Sequence, residues 1–322
     1  MVVWITGASS GIGEELAFQL SKLGVSLVLS ARRVQELERV KRRCLENGNI
    51  KEKDILVLPL ELADPSSHDM ATKAVLQEFG RIDILVNNGG KAHVSFAVDT
   101  NLDVFKMLIE VNYLGTVSLI KCVLPHMMER KQGKILIMNS LSLIVSHPPC
   151  SGYTASKHAL WGFVNALRNE LLDYPGITLS TICLGPVHSN ISQNSFTREV
   201  TKTRGPKSRE LPKMATSRCV HLVLVSMAND LEEVWIAEQP ALFWTYVCQY
   251  VPFRNWIIQR RYGRKVLKPL GLTWCLNCCG IMGSPRDSYK GSDLRNQSVH
   301  SDRSREDLRH SFTSWSVECG RK

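Results

Sequence analysis

The sequence predicts an α/β fold: one domain built on a doubly wound parallel sheet, with an aromatic C-terminal helical segment and a disordered tail. Three observations predict it. Short apolar runs alternate with helical stretches over residues 2–183. The runs are continuously apolar, as strands are when helices cover both faces of a parallel sheet. A glycine-rich turn, Thr6-Gly7-Ala8-Ser9-Ser10-Gly11-Ile12-Gly13, joins the first run to the first helix.

The elements follow in order. Val2–Thr6 is a short apolar strand. Residues 11–23 read as a helix, because Ile12, Leu16, Leu20 and Leu23 share one face at helical spacing. Residues 25–30 form a second buried strand, and Val34–Asn47 a charged amphipathic helix that Asn47-Gly48 stops. Strand three is 55–60. Asp64-Pro65 starts a helix over 66–79. Strand four is 82–86. Residues 102–130 make a long helix with a bend expected near Pro125. A strand over 134–139, a helix over 153–172 and a strand over 177–183 complete the series. Right-handed crossovers then give a Rossmann-like topology, whose ligands bind beyond the carboxyl ends of the strands.

A chain of 322 residues suffices for one large domain with a buried core. The net charge is +10, but residues 259–322 hold thirteen Lys/Arg against six Asp/Glu. The basic balance therefore describes a tail more than a folded body. We read 1–234 as a dinucleotide-binding domain and 235–268 as an aromatic, basic-rimmed cap or membrane-contact segment. Residues 269–322 read as a solvated, disordered tail with no nucleic-acid partner. Within the second segment, 235–258 is rich in Trp, Tyr, Phe and Leu, and Arg260, Arg261, Arg264 and Lys265 follow. Such a pattern suits a membrane interface, a subunit contact or a wall over an apolar pocket.

The ten cysteines suggest free thiols in a reducing compartment. Cys275, Cys278 and Cys279 cluster, but lack the partner pair or histidine that zinc needs, so no metal site is expected. The first strand starts at Val2, so no leader or anchor is expected, and no run of about 18 uninterrupted apolar residues suggests a spanning helix.

Gly7, Gly11 and Gly13 let the turn approach a pyrophosphate, and the helix N-terminus beyond favours negative charge. Thr6 and Ile12 complete the loop, while Ser9 and Ser10 add hydroxyl donors. Strand two ends in Ser30-Ala31-Arg32-Arg33, where an NAD-preferring site has an acidic residue for the ribose 2′-hydroxyl. Arg32, beside Arg33, can instead clamp a 2′-phosphate. The inferred cofactor is NADP(H).

Tyr153 and Lys157 stand four residues apart, on one face of a helix. Ser140 lies thirteen residues before the tyrosine, at the end of strand five. A free phenol has a pKa of about 10, and neighbouring cations favour the phenolate. Tyr153 can thus give a proton to a carbonyl or take one from an alcohol, while Ser140 hydrogen-bonds the reacting oxygen. Ser142 is the rival serine.

Together, Thr6-Gly7-x-x-x-Gly11-x-Gly13, Asn87-Asn88-Gly89-Gly90, Asn112, Ser140, Tyr153-x-x-x-Lys157 and Gly185-Pro186 resemble the short-chain dehydrogenase/reductase family over about 1–235. The resemblance implies further roles. Lys157 also holds the nicotinamide ribose, and Asn112 supports a water linking Lys157 to solvent. Asn87 and Gly89 lie by the adenosine, and Glu61 takes the place of an aspartate at the adenine. Pro186, Val187 and Ser189 match positions by the nicotinamide carboxamide. A homodimer through the helices at 102–130 and 153–172 is implied.

The stretches 23–33, 39–47 and 122–127 are similar to a branch of the family acting on steroids and retinoids. That similarity implies a lipophilic carbonyl or alcohol substrate. It also implies a peripheral place at the endoplasmic reticulum membrane, with the cytoplasm as the alternative for a chain lacking the branch's anchor. Some residues depart from the family. Gly90 replaces an alanine, Leu184 a proline and Leu143 a small glycine, and His147-Pro148-Pro149 stiffens the loop after Ser140. No final strand of the usual pattern is found. A fold-retaining NADPH-binding protein without activity is therefore a second reading. A nucleotide-sugar epimerase is a third, against which the Gly7/Gly11/Gly13 spacing argues.

Overall fold

The seven strands are β1 (Val2–Thr6), β2 (Ser26–Ala31), β3 (Ile55–Pro59), β4 (Ile84–Asn87), β5 (Gly133–Ser140), β6 (Ile177–Leu184) and β7 (Glu233–Ile236). All pair in parallel, in the order β3-β2-β1-β4-β5-β6-β7. This computed structural model describes residues 1–146, 148–203 and 213–250. The expectations for His147, for 251–268 and for the tail with its cysteine cluster lie outside the described residues.

The apolar runs are continuous because successive residues feed two cores. On one face, Val3 and Ile5 of β1, Leu27 and Leu29 of β2 and Val86 of β4 meet three helices: α1 (Gly11–Ser21), α2 (Val34–Asn47) and α7 (Thr216–Ala228). On the other, Val2 and Trp4, Val28 and Leu85 meet α3 (His68–Phe79), α5 (Gly115–Glu129) and α6 (Ser151–Glu170). Trp4 is fully buried, and its indole N–H donates to the Ser30 hydroxyl at 2.8 Å, which satisfies the one polar atom it carries inward. The strand order reverses between β1 and β4, and there a ligand crevice opens.

Two features differ from the sequence expectation. The long helix is interrupted not at Pro125, which stays inside α5, but between α4 (Leu102–Ile109) and α5, by a π-helical turn at Glu110–Leu114. Close packing accompanies the irregularity: a Cβ on Gly115 would collide with the Leu62 carbonyl oxygen. A seventh strand also exists. β7 escaped notice because it is four residues long, sits at the sheet edge and starts on an exposed glutamate. It straddles the 234/235 boundary drawn from composition. Trp235 of β7 meets Tyr246 at a tilt and stacks with Tyr250 of α8 (Ala241–Tyr250), so part of the aromatic segment packs on the sheet edge. The α4–α5 stretch has a mean hydropathy of 1.5, enough by length and composition to cross a membrane, but Val104, Leu108, Leu119 and Ile120 are core residues here.

Candidate active site

A cavity of about 310 Å³ lies beyond the carboxyl ends of β1, β2 and β4. Thr6, Gly7, Ser9, Ser10, Gly11 and Ile12 form its floor. Gly7 and Gly11 have φ of +66° and +60°, the left-handed region that favours glycine. A Cβ on Gly7 would stand 2.8 Å from Gly89 Cα, and one on Gly11 3.1 Å from Ser189 Cβ. Gly13 does not line the cavity. It lets α1 close on the turn, since a Cβ there would collide with the Gly7 carbonyl oxygen. Thr6 Oγ1 accepts from the backbone N–H groups of Asn88 and Gly89, each at 3.0 Å, and Asn88 Nδ2 donates to the carbonyls of Thr6 and Gly7. The end of β4 thus braces the turn from behind.

Arg32, Arg33 and Lys91 bring three cations to the cavity, against the one carboxylate of Glu61. Arg33 donates to Ser9 Oγ at 3.2 Å and to Ser10 Oγ at 3.5 Å. Arg32 pairs with Glu61 at 3.4 Å, with both side chains well exposed. Such a pair contributes at most about 1 kcal/mol, so either partner can turn to a ligand at small cost. Glu61 also accepts from the Ala63 N–H at 3.2 Å. A glycine cradle that side chains would fill, hydroxyls beside it and a surplus of cations fit an anionic dinucleotide.

The polar group on the other side of β4 sits on β5 and α6. Ser140 Oγ donates to Ser142 Oγ at 3.1 Å and accepts from the Ser142 N–H at 3.2 Å. Of the two serines it is Ser140 that acts on the Tyr153 phenol: burial pushes the phenol up to about 12, and the Ser140 hydroxyl works in the opposite direction. Lys157 is buried, and its ammonium donates to the Met138 carbonyl at 2.9 Å. Burial pushes it down to about 8. Its Nζ lies 5.8 Å from the Tyr153 ring centroid, yet it is not among the groups that lower the phenol. The lysine alone therefore does not bring the tyrosine toward neutral pH.

Asn112 is buried in the π turn. Its Oδ1 accepts from the Lys91 N–H at 2.8 Å, and its Nδ2 donates to the Lys91 carbonyl and to Ser156 Oγ, both at 2.9 Å. The side chain is thus occupied in joining the β4 loop to α6. Gly90 lies between the two halves of the site, since a Cβ there would stand 3.1 Å from Asn112 Oδ1 and 4.0 Å from Lys157 Nζ.

The structure sorts the remaining candidates. Gly89 and Ser189 line the cavity; Asn87, Pro186 and Val187 do not. Asn87 continues the alternation of β4 beyond Leu85, so its side chain turns away and is buried without a hydrogen-bond partner. Val187 packs in the core and Pro186 is exposed. Asn88 and Lys91, on either side of Gly89-Gly90, were missed. Their signal was adjacency to a recognised motif. Among the described residues, no three His, Cys, Asp or Glu are grouped to hold a metal.

Comparison with known proteins agrees with this geometry. Residues 1–200 match the family model for short chain dehydrogenases. The chain is 69% identical over 265 residues to the human dehydrogenase/reductase SDR family member 7, covering 82% of this chain and 78% of that protein. It is 36% identical over 264 residues to a member 7-like protein of Anopheles gambiae, covering 81% and 82%. An alcohol dehydrogenase from Thermococcus sibiricus, solved with 5-hydroxy-NADP, superimposes with a TM-score of 0.63 at 25% identity, covering 73% of this chain and 95% of that one. A Burkholderia phymatum family member, solved with NAD, shares the fold with a TM-score of 0.68 at 20% identity, covering 80% and 94%. By motif, fold and relatives, the chain belongs to the short-chain dehydrogenase/reductase family of oxidoreductases.

Proposed function

We propose that the chain is an NADP(H)-dependent oxidoreductase that reduces carbonyls of lipophilic molecules such as steroids and retinoids, or oxidises the matching secondary alcohols. The observation that carries this reading is the grouping of Ser140, Tyr153 and buried Lys157, one sheet position from a cationic dinucleotide-sized cavity. The bound nicotinamide supplies or accepts the hydride. Ser140 and Tyr153 hold the substrate oxygen. The Tyr153 phenol, which burial pushes up to about 12, is protonated at neutral pH and gives the proton in reduction; in oxidation it must first lose it. Arg33, next to Ser9 and Ser10, and Arg32, which pairs with exposed Glu61, are the groups suited to a 2′-phosphate. Asn112 holds the loop that separates the cavity from Lys157.

Leu143 and Leu184, which prompted the non-catalytic reading, are buried core residues and do not fill the site. Exposed Phe243, Tyr246 and Tyr250 of α8 suit contact with a membrane surface. We place the protein peripherally at the endoplasmic reticulum membrane on the family analogy. Exposed Leu102 and Leu114, on the long helical stretch, suit a homodimer contact. The testing experiment is NADPH consumption against a panel of steroid ketones, retinals and aromatic carbonyls, with NADH in parallel. Turnover preferring NADPH is expected; NADPH binding without turnover across the panel contradicts the reading.

A further inference from the structure

We propose that Lys91 reads the diphosphate common to NADH and NADPH, across the cavity from the arginine pair. This rests on the reading that the cavity takes a dinucleotide. Lys91 lines that cavity, and both its backbone polar groups are fixed by Asn112, so the base of its side chain is held in place. The carboxylate that acts on it, Glu61, already pairs with Arg32 and accepts from Ala63. Burial and the charge of Arg32 both push the ammonium down, the mark of a cation that lacks an anion.

Its contacts differ from those of the arginines. Arg33 reaches Ser9 and Ser10, and Arg32 reaches Glu61. Lys91 Nζ instead lies 5.2 Å from the ring centroid of Phe196. Phe196 belongs to the segment after β6, whose Ser189 and Asn194 wall the cavity and whose Ser189 stands against Gly11. That segment is tied to the Lys91 loop by Phe196 N–H to the Ala92 carbonyl and Val94 N–H to the Phe196 carbonyl, each at 2.9 Å. Lys91 therefore stands on the loop that docks this segment, and the same segment brings Ser189 against the glycine turn. A helix N-terminus and a lysine converging there suit the diphosphate, and the arginines remain for the 2′-phosphate.

The test is calorimetric titration of NADPH and NADH into the full chain, for wild type, Lys91→Met, Lys91→Arg and Arg32→Met. Lys91→Met should weaken both dinucleotides by roughly tenfold and flatten the salt dependence of binding. Lys91→Arg should keep most of the affinity, and Arg32→Met should weaken NADPH alone. Ligand-free melting should be unchanged, because Asn112 holds the Lys91 backbone rather than its ammonium; if Lys91→Met melts early, Lys91→Gln makes the same comparison. Unchanged affinity for both dinucleotides overturns the proposal, and so does a loss confined to NADPH. A wild type that binds neither overturns the cavity reading itself, and this proposal with it.

Discussion

At the glycine turn the polar groups are held from about eighty residues away, with Thr6 Oγ1 engaged three times and Asn88 Nδ2 twice. The segment after β6 is held differently. Phe196 docks it through two backbone bonds to Ala92 and Val94, and beside them His93 is buried with Nδ1 unpartnered. The glycine turn is thus fixed by side chains from β4 and by glycines that admit no side chain. The segment after β6, on the other wall of the cavity, is docked by loop backbone. A fold that keeps one dinucleotide turn while its loops vary is served by that difference.

Substitutions can break the comparison. The largest expected effect is on chemistry: Ser140→Ala should lower kcat by roughly 10²–10³-fold, with dinucleotide affinity unchanged by titration. A smaller effect falls on stability. Gly13→Ala should cost about 1–3 kcal/mol in urea unfolding, because the new Cβ collides with the Gly7 carbonyl and stands 2.7 Å from Asn88 Nδ2. Gly162→Ala is the control. It lies inside α6 with nothing within 4 Å of its Cβ position, so it should stabilise by about 0.4–1 kcal/mol.

The smallest effect is one of pH. Burial lowers His93 below its ordinary value of 6.5. Its neutral form is favoured in the fold, so the stability it contributes is present above 6.5 and is lost as pH falls through the folded value. Hydrogen exchange at the Val94 and Phe196 amides, corrected for intrinsic rates, should therefore quicken between pH 7 and pH 5, while Asn88 and Gly89 stay protected. Equal loosening at both ends would remove the asymmetry.

The fold was legible where burial is two-sided. Six strands read as apolar runs, and α2 ends at Asn47 with Gly48 after it, as the sequence signalled. β7 was not legible, because among its four residues only Ile236 is fully buried and its partner is a single strand. The π turn at Glu110–Leu114 was hidden for another reason: its residues suit an α-helix as well, and the packing of Gly115 and the bonds of Asn112 that accompany the irregularity are tertiary. In the site, the Tyr153 and Lys157 spacing was readable because helix geometry fixes it, and Ser140 was readable through the resemblance to the family. The sidedness of Asn87 against Asn88 was not, since it depends on where β4 ends. Lys91 carried no pattern of its own and became visible only beside Phe196 and the arginines.

The central claim is that Tyr153 moves the proton at the reacting oxygen while the cavity binds the dinucleotide independently. Single-turnover oxidation of bound NADPH by a carbonyl substrate, in wild type and Tyr153→Phe, tests it most directly. The account predicts a rate roughly 10²–10⁴-fold lower in the variant, at an unchanged NADPH dissociation constant. A Tyr153→Phe protein that transfers hydride at the wild-type rate would contradict it.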